Sequence, residues 1–170
     1  MCQPQFLVVA LDNSHNRSEF NSGSTPLDTC FATQVTQDIR RNVAKCFVAI
    51  DISRQRVAGY YTMSAAEIPL NMLPGNISKK LPRYPTIPAV RIGRFAVDKA
   101  YQGKGIGGAL LADAIIKACN VPIGAYALLV DAKDDKAAGF YRHYGFIQYV
   151  DSPNTLFLAL ETAKRISSES

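Results

Sequence analysis

Apolar residues in this chain recur with the two-residue period of strands, broken at intervals by runs with the 3.6-residue period of helices. Residues 6–11, FLVVAL, read as a short strand, and the polar stretch 12–24 that follows carries turn residues with little periodicity. Thr25-Pro26-Leu27-Asp28 reads as a helix start, with Thr25 as cap, Pro26 at the first helical position and Asp28 favouring the dipole. Leu27, Cys30, Phe31, Val35 and Ile39 give this helix one buried face, and Arg40, Arg41 and Lys45 gather at its far end. That cluster is either a basic lip for a polyanion or a cationic terminus that complements the dipole. Residues 46–52 and 57–65 are β-rich runs separated by SRQR, which predicts an antiparallel hairpin.

Five prolines between positions 69 and 88 exclude a long regular element there. The expected arrangement is a surface flap with a short helix over 76–81, carrying Lys79, Lys80 and Arg83. Residues 91–97, RIGRFAV, form the next strand. After a glycine-rich turn, Ile106, Leu110, Leu111, Ala114, Ile115 and Ala118 mark the buried stripe of a helix ending near Asn120. Residues 127–130 follow as a strand, parallel to the one ending at Val97 because a strand–helix–strand crossover joins them. Asp134 or Asp135 caps a helix that runs through Tyr144, with Gly145 ending it. Residues 146–150 and 156–160 close the sheet as a hairpin, and the polar segment 161–170 reads as a loose tail.

At 170 residues and 48% apolar, the chain is one domain with a real core, expected over 1–160. Its net charge of +5 favours polyanionic partners. Cys2, Cys30, Cys46 and Cys119 show no C-x-x-C spacing and are expected to be reduced and structural, and no metal-ligand set is read. No apolar run approaches the roughly 20 residues of a membrane span. A cytoplasmic protein without a membrane partner is expected.

The chemistry concentrates in the turn after residue 97. Glycines at 103, 105, 107 and 108 let backbone N–H groups approach a ligand, and the helix that follows offers unpaired donors, a combination suited to a phosphate. The nucleotide-triphosphate loop requires Gly-Lys-Ser/Thr, which is absent. Gly103-Lys104-Gly105-Ile106-Gly107-Gly108 satisfies the dinucleotide fingerprint literally, and Asp131 follows the next strand where a ribose-binding acid belongs. However, the glycines do not follow their strand directly, and too few residues remain for a doubly wound sheet.

A third pattern, Gln or Arg, two residues, Gly, one residue, then Gly or Ala, is met at every position by Gln102-Gly103-Lys104-Gly105-Ile106-Gly107. It resembles the acyl-CoA pyrophosphate loop of the GNAT superfamily of N-acetyltransferases, and Phe140-Tyr141-Arg142-His143-Tyr144-Gly145-Phe146 is similar to that superfamily's second signature. Phe20-Asn21-Ser22-Gly23 with Leu27-Asp28, Val57-Ala58-Gly59-Tyr60-Tyr61, the proline-rich flap and Gly93-Arg94-Phe95-Ala96-Val97-Asp98 resemble one branch, the acetyltransferase toxins of toxin–antitoxin pairs. The resemblance implies a GNAT fold, an α/β arrangement in which a mixed, mostly antiparallel sheet splays between two parallel strands. It implies acetyl-CoA as donor, the α-amine of aminoacyl-tRNA as acceptor, a block of translation, and a ribbon-helix-helix antitoxin as partner, with a homodimer allowed. It places the pantetheine arm along Phe95, Ala96 and Val97, with the Val97 N–H facing the thioester carbonyl, and the pyrophosphate on Gln102 through Gly108. Tyr141 matches the tyrosine that protonates the departing thiolate, and Arg94 the arginine of the substrate groove. Phe95 departs from the branch, which more often carries Leu there, and a larger ring changes the acceptor pocket.

The residues themselves suit that reaction. A backbone N–H at a strand bulge near Val97 stabilises an oxyanion without side-chain reorganisation, and a phenol of pKa about 10 can protonate a thiolate. An α-amine of pKa about 7.7–8.0 is already roughly 10–15% neutral at pH 7, whereas a lysine amine is neutral in only about a few molecules per ten thousand. The chain offers no obvious base: His15 lies in a polar loop, His143 reads as a surface residue, and Glu67 is the one carboxylate worth testing. That absence favours an α-amine. Arg40, Arg41, Lys79, Lys80, Arg83, Arg91, Arg94 and Arg142 fall in segments such a fold puts on the acceptor side, where a continuous strip would track tRNA phosphates. An acetyltransferase for a small or peptide amine, and an acyl-CoA-binding module without catalysis, are the alternatives.

Overall fold

The computed structural model describes residues 5–169, so the expectation for Cys2 lies outside the described residues. Seven strands form one sheet in the order β1-β2-β3-β4-β5-β7-β6. They are β1 (Phe6–Ala10), β2 (Lys45–Asp51), β3 (Arg56–Pro69), β4 (Thr86–Val97), β5 (Ala127–Asp131), β6 (Ile147–Gln148) and β7 (Thr155–Ala159). The β4–β5 pair is parallel, while β1–β2, β2–β3, β5–β7 and β6–β7 are antiparallel, the mixed sheet expected from the crossover. The chain divides into two compact units, one from residues up to Ser64 with Gly93–Ala114, the other from Ala65–Ile92 with the residues from Ile115 on.

In the first unit, β1 pairs with β2 from Phe6↔Asp51 to Ala10↔Phe47, and the β2–β3 register shifts between Ala49 and Ile50. The helix expected from residue 25 forms in three pieces, α1 (Thr25–Thr29), a π-helical turn (Cys30–Gln34) and α2 (Val35–Arg40). Its cap is Ser24, in extended conformation, and not Thr25, which is already helical. Asp28 turns its carboxylate to the Ser22 N–H and hydroxyl, at 3.0 and 2.7 Å. In the π turn the Val35 N–H reaches back to the Cys30 carbonyl, and the Arg17 guanidinium donates to the Phe31 carbonyl at 2.9 Å. The buried face is the expected one. Phe31 stacks on Tyr60 at 4.3 Å and 17°, Phe20 meets both edge-on, and the Tyr60 hydroxyl donates to the Leu27 carbonyl at 2.6 Å. Cys30 and Cys46 are free thiols in this cluster, and burial pushes the Cys46 thiol up to about 12. The Tyr61 hydroxyl donates to the carboxylate of Asp113, at 2.6 Å, on α4 (Ile106–Cys119).

In the second unit the proline-rich flap holds a 3₁₀ turn (Leu70–Met72) and α3 (Gly75–Ser78), which begins one residue before the expected helix and is shorter than it. Strand β4 starts at Thr86, five residues earlier than the pattern predicts, and takes in Pro88. Pro88 is exposed and uses only its carbonyl, which accepts from the Tyr126 N–H at 2.8 Å, so its missing N–H costs the sheet nothing there. The β4–β5 register covers Ala89↔Ala127 to Ile92↔Val130, and β4 runs on to Val97. Ile68, Leu73, Ile87, Ala89, Ala127, Leu129, Tyr149 and Phe157 form this unit's core. The segment expected as a loose tail is instead a helix, α6 (Leu160–Glu169). Leu160 and Ala163, three residues apart and therefore on one helical face, are buried, and the Leu160 N–H donates to the Tyr126 carbonyl. Among the described residues no helix is long and apolar enough to cross a membrane.

Tyr61→Phe removes a hydrogen bond to a carboxylate from the interior and is expected to lower unfolding free energy by about 2 kcal/mol in urea titrations. Asp51 is buried, and the Tyr101 hydroxyl at 2.6 Å, with Ser53, holds its carboxyl below the usual carboxylate range. A folded pKa below the unfolded value of about 3.9 contributes stability that is full above that value and lost as pH falls through the folded one. Acid unfolding curves below about pH 4 should therefore be flatter for Asp51→Asn, which is also less stable at neutral pH.

Candidate active-site elements

In the first unit, Ala96 turns into the core, so its neighbours Phe95 and Val97, both half-buried, face the other side of β4. One turn of hydroxyl chemistry shapes the strand just before them. The Arg94 backbone N–H donates to the buried Thr62 hydroxyl at 2.8 Å, a side-chain acceptor on a strand donor, while the Arg94 side chain is exposed. Beyond Val97 the chain enters a 3₁₀ turn (Lys99–Tyr101), then the glycine turn, then α4.

The corner before the glycines is fixed by Asp98, which is 1% exposed. Its carboxylate accepts from the Ala100 N–H at 2.8 Å, the Asn21 N–H at 3.0 Å and the Arg56 guanidinium at 3.3 Å. A buried carboxylate is retained only with such partners. Arg56 carries no local signal of this role, whereas an aspartate directly after an apolar strand, two residues before an N–H it can accept from, is a capping signal. Tyr101 is buried with its hydroxyl on Asp51, and the Lys104 ammonium lies 5.7 Å from its ring.

Gly103 and Gly105 have φ of +78° and +83°, conformations that a side chain would strain, and a Cβ built on either would meet nothing within 4 Å. The exposed turn therefore has room for a ligand against its backbone. Ile106 is buried and anchors the start of the 14-residue α4, and the Ala109 N–H donates to the Gly105 carbonyl just before it. The N–H groups of the first turn have no partner within the helix, and Gly107 and Gly108 keep side chains out of their way. Backbone donors, open space and a helix dipole suit a pyrophosphate.

In the second unit, Asp134 caps α5 (Asp135–His143) by accepting from the Ala137 N–H at 2.8 Å. The helix closes with Phe146 N–H to Tyr141 carbonyl and Gly145 N–H to Arg142 carbonyl, the Schellman pattern expected of Gly145. Tyr141 is buried on this helix between the rings of Phe140 and Phe146, at 5.3 and 5.5 Å. Burial pushes its phenol above the ordinary value, which keeps the proton on oxygen throughout the neutral range. His143 is exposed, as expected. The carboxylate of Glu67 accepts from the Thr86 hydroxyl at 3.1 Å.

The basic residues divide between the units. Arg40, Arg41 and Arg94 are exposed in the first, and Lys79, Lys80, Arg83 and Arg142 in the second, where Arg142 also donates to Gln148 at 3.4 Å. Arg91 is half-buried and paired with Asp131, whose carboxylate also accepts from the Thr155 hydroxyl. Asp131 is thus committed to an arginine and a hydroxyl of its own unit, an arrangement that speaks against the ribose-binding role of the dinucleotide reading. His15 accepts from the Asp12 N–H through Nδ1, a local loop contact.

The acetyltransferase (GNAT) domain family matches residues 42–148. A tRNA-acetylating toxin of Mycobacterium tuberculosis (strain ATCC 25618 / H37Rv) is 28% identical over 158 residues, which cover 92% of this chain and 93% of that protein. AtaT complexed with acetyl-methionyl-tRNAfMet superposes with a TM-score of 0.88 at 27% identity, covering 96% of this chain and 99% of that one. AtaTR bound with AcCoA superposes at 0.82 and 27%, covering 95% and 98%. With a family match over most of its length, on a mixed sheet that carries the glycine turn from β4 into α4, the chain belongs to the GNAT acetyltransferase family.

Proposed function

We propose that this protein transfers the acetyl group of acetyl-CoA to the α-amine of aminoacyl-tRNA, blocks translation by doing so, and is neutralised by a ribbon-helix-helix antitoxin. The observation that carries the acceptor is similarity along almost the whole chain to a tRNA-acetylating toxin, joined by the likeness to AtaT with its acetylated aminoacyl-tRNA. The donor is supported by the family, by the likeness to AtaTR bound with AcCoA, and by the open glycine turn.

Acetyl-CoA supplies an activated acyl group as a thioester. Gly103 through Gly108 hold its pyrophosphate on backbone N–H groups, the Gln102 N–H being already given to the Lys99 carbonyl, and Phe95, Ala96 and Val97 pair with the pantetheine arm as an added strand partner. The Val97 N–H stabilises the oxyanion that develops when the amine attacks. As the C–N bond forms and the C–S bond breaks, the amine gives up a proton to water and Tyr141 delivers one to the sulfur, its phenolate then regaining a proton from solvent. A phenol is protonated throughout the neutral range, so it has a proton to give the departing thiolate and no basic site to offer the amine, which must arrive neutral. An α-amine meets that demand near neutrality without help from the protein. Arg40, Arg41, Arg94, Lys79, Lys80, Arg83 and Arg142 contact the phosphates of the acceptor, with Arg91 held back by Asp131.

Labelled acetyl transfer to a pool of charged tRNA, beside peptide N-termini and polyamines, tests the reading. Label on charged tRNA, and none on deacylated tRNA, is the expected result; label on peptides or polyamines alone would replace the toxin with a conventional acetyltransferase. Tyr141→Phe should lower kcat by about 10²–10⁴-fold while leaving the calorimetric affinity for acetyl-CoA within a few-fold. The rate should rise with pH through about 8, as the acceptor amine loses its proton, with no decline from Tyr141 below about pH 10. Acceptor KM should climb steeply between about 50 and 200 mM salt, and a salt-independent KM would remove the phosphate contacts from the account.

A further inference from the structure

The side chain of Gln102 opens the pattern that suggests a pyrophosphate site, yet its donors are already spent. Its Nε2 donates to the Val97 carbonyl and to the Ser22 carbonyl, both at 2.9 Å. A primary amide has two N–H donors, so both are committed. The opposite amide orientation would face Oε1 against two carbonyl oxygens, which fixes the assignment. What remains free to a ligand is Oε1, an acceptor that a phosphate oxygen avoids.

The carbonyls it grips belong to two segments that other bonds also join. Asn21 donates its N–H to Asp98 and accepts from the Lys99 N–H at 2.8 Å, and its side-chain Oδ1 accepts from the Gly23 N–H at 3.0 Å. The Ser22 N–H and hydroxyl go to Asp28. Segment 21–24 is therefore laced to the corner 97–102 on one side and to the first turn of α1 on the other. Resting on the acetyl-CoA reading, we propose that Gln102 is a positioning residue and not a phosphate ligand. Its amide clamps the end of β4 to segment 21–24, so that the Val97 peptide and the glycine turn are in place before the cofactor arrives. Segment 21–24 is then part of the frame of the cofactor site although it contacts no phosphate.

The test is binding of two donors to folded protein: acetyl-CoA by calorimetry, and acetyl-pantetheine, which carries the thioester arm without any phosphate, by ligand-observed NMR. Gln102→Met keeps the length of the side chain and removes both donors. It should weaken both ligands by about tenfold at a temperature where circular dichroism shows the variant folded. A loss confined to acetyl-CoA would make Gln102 a phosphate ligand, and unchanged affinities would reduce it to a contributor to stability; either overturns the proposal. Asn21→Ala removes the Oδ1 acceptor of the Gly23 N–H, loosens the same segment from within and should also weaken both ligands, even if Gln102→Met fails to fold. Combined in one chain, the two changes should weaken binding by less than the product of their separate effects. Failure of the wild-type protein to bind acetyl-CoA would overturn the cofactor reading, and this proposal with it.

Discussion

The buried carboxylate of Asp98 is the constraint on which the ordered half of the glycine turn depends. A charge that is 1% exposed must be matched by donors that cannot leave, and here they come from three stretches of chain: the corner itself, segment 21–24 and Arg56 at the start of β3. Because two of the donors are backbone N–H groups, their geometry is set by the chain path and not by rotamer choice. The carboxylate thus converts three loosely constrained ends into one fixed corner. The glycines beyond it can then be conformationally permissive without making the whole turn vague, since their strain-free φ values begin from a pinned origin.

Much of the fold was legible because its signals were local and redundant. The β2–β3 hairpin, the parallel crossover, a cap at Asp134 or Asp135 and the Gly145 stop were each marked by periodicity together with a boundary residue; the cap is Asp134, and β3 runs on to Pro69, past its expected end at residue 65. The departures share a cause, which is that tertiary contacts outvoted local propensity. Thr25 and Ser24 are equivalent as caps on sequence grounds, and the chain path through Ser22 and Asp28 selects Ser24. Pro88 looked like a boundary, but an exposed position whose N–H is not required admits it to β4. The last helix was masked by its polar composition, although Leu160 and Ala163 already supplied a minimal apolar face.

The candidate site was legible in its motifs and opaque in its supports. Residue types in a fixed order disclosed the glycine turn and Tyr141, because a backbone cradle and a phenol are chemistry that few other patterns provide. The ties from Gln102 to Ser22 and from Asp98 to Asn21 span 80 and 77 positions. No periodicity links residues so far apart, and the pairing of Arg91 with Asp131 was hidden in the same way.

The thiol of Cys46 has a different kind of consequence. With its pKa pushed up to about 12, only about one molecule in 10⁵ carries the thiolate at pH 7, and the thiolate is the form that reacts with alkylating reagents. In the intact fold the residue is chemically silent twice over, buried in the cluster that also holds Phe20, Phe31 and Tyr60 and held protonated. Once β2 separates from β3 the thiol regains an ordinary pKa of about 8.5 and becomes reactive. The core of the first unit therefore contains its own unfolding clock: the rate at which Cys46 takes up label measures how often that half of the sheet opens.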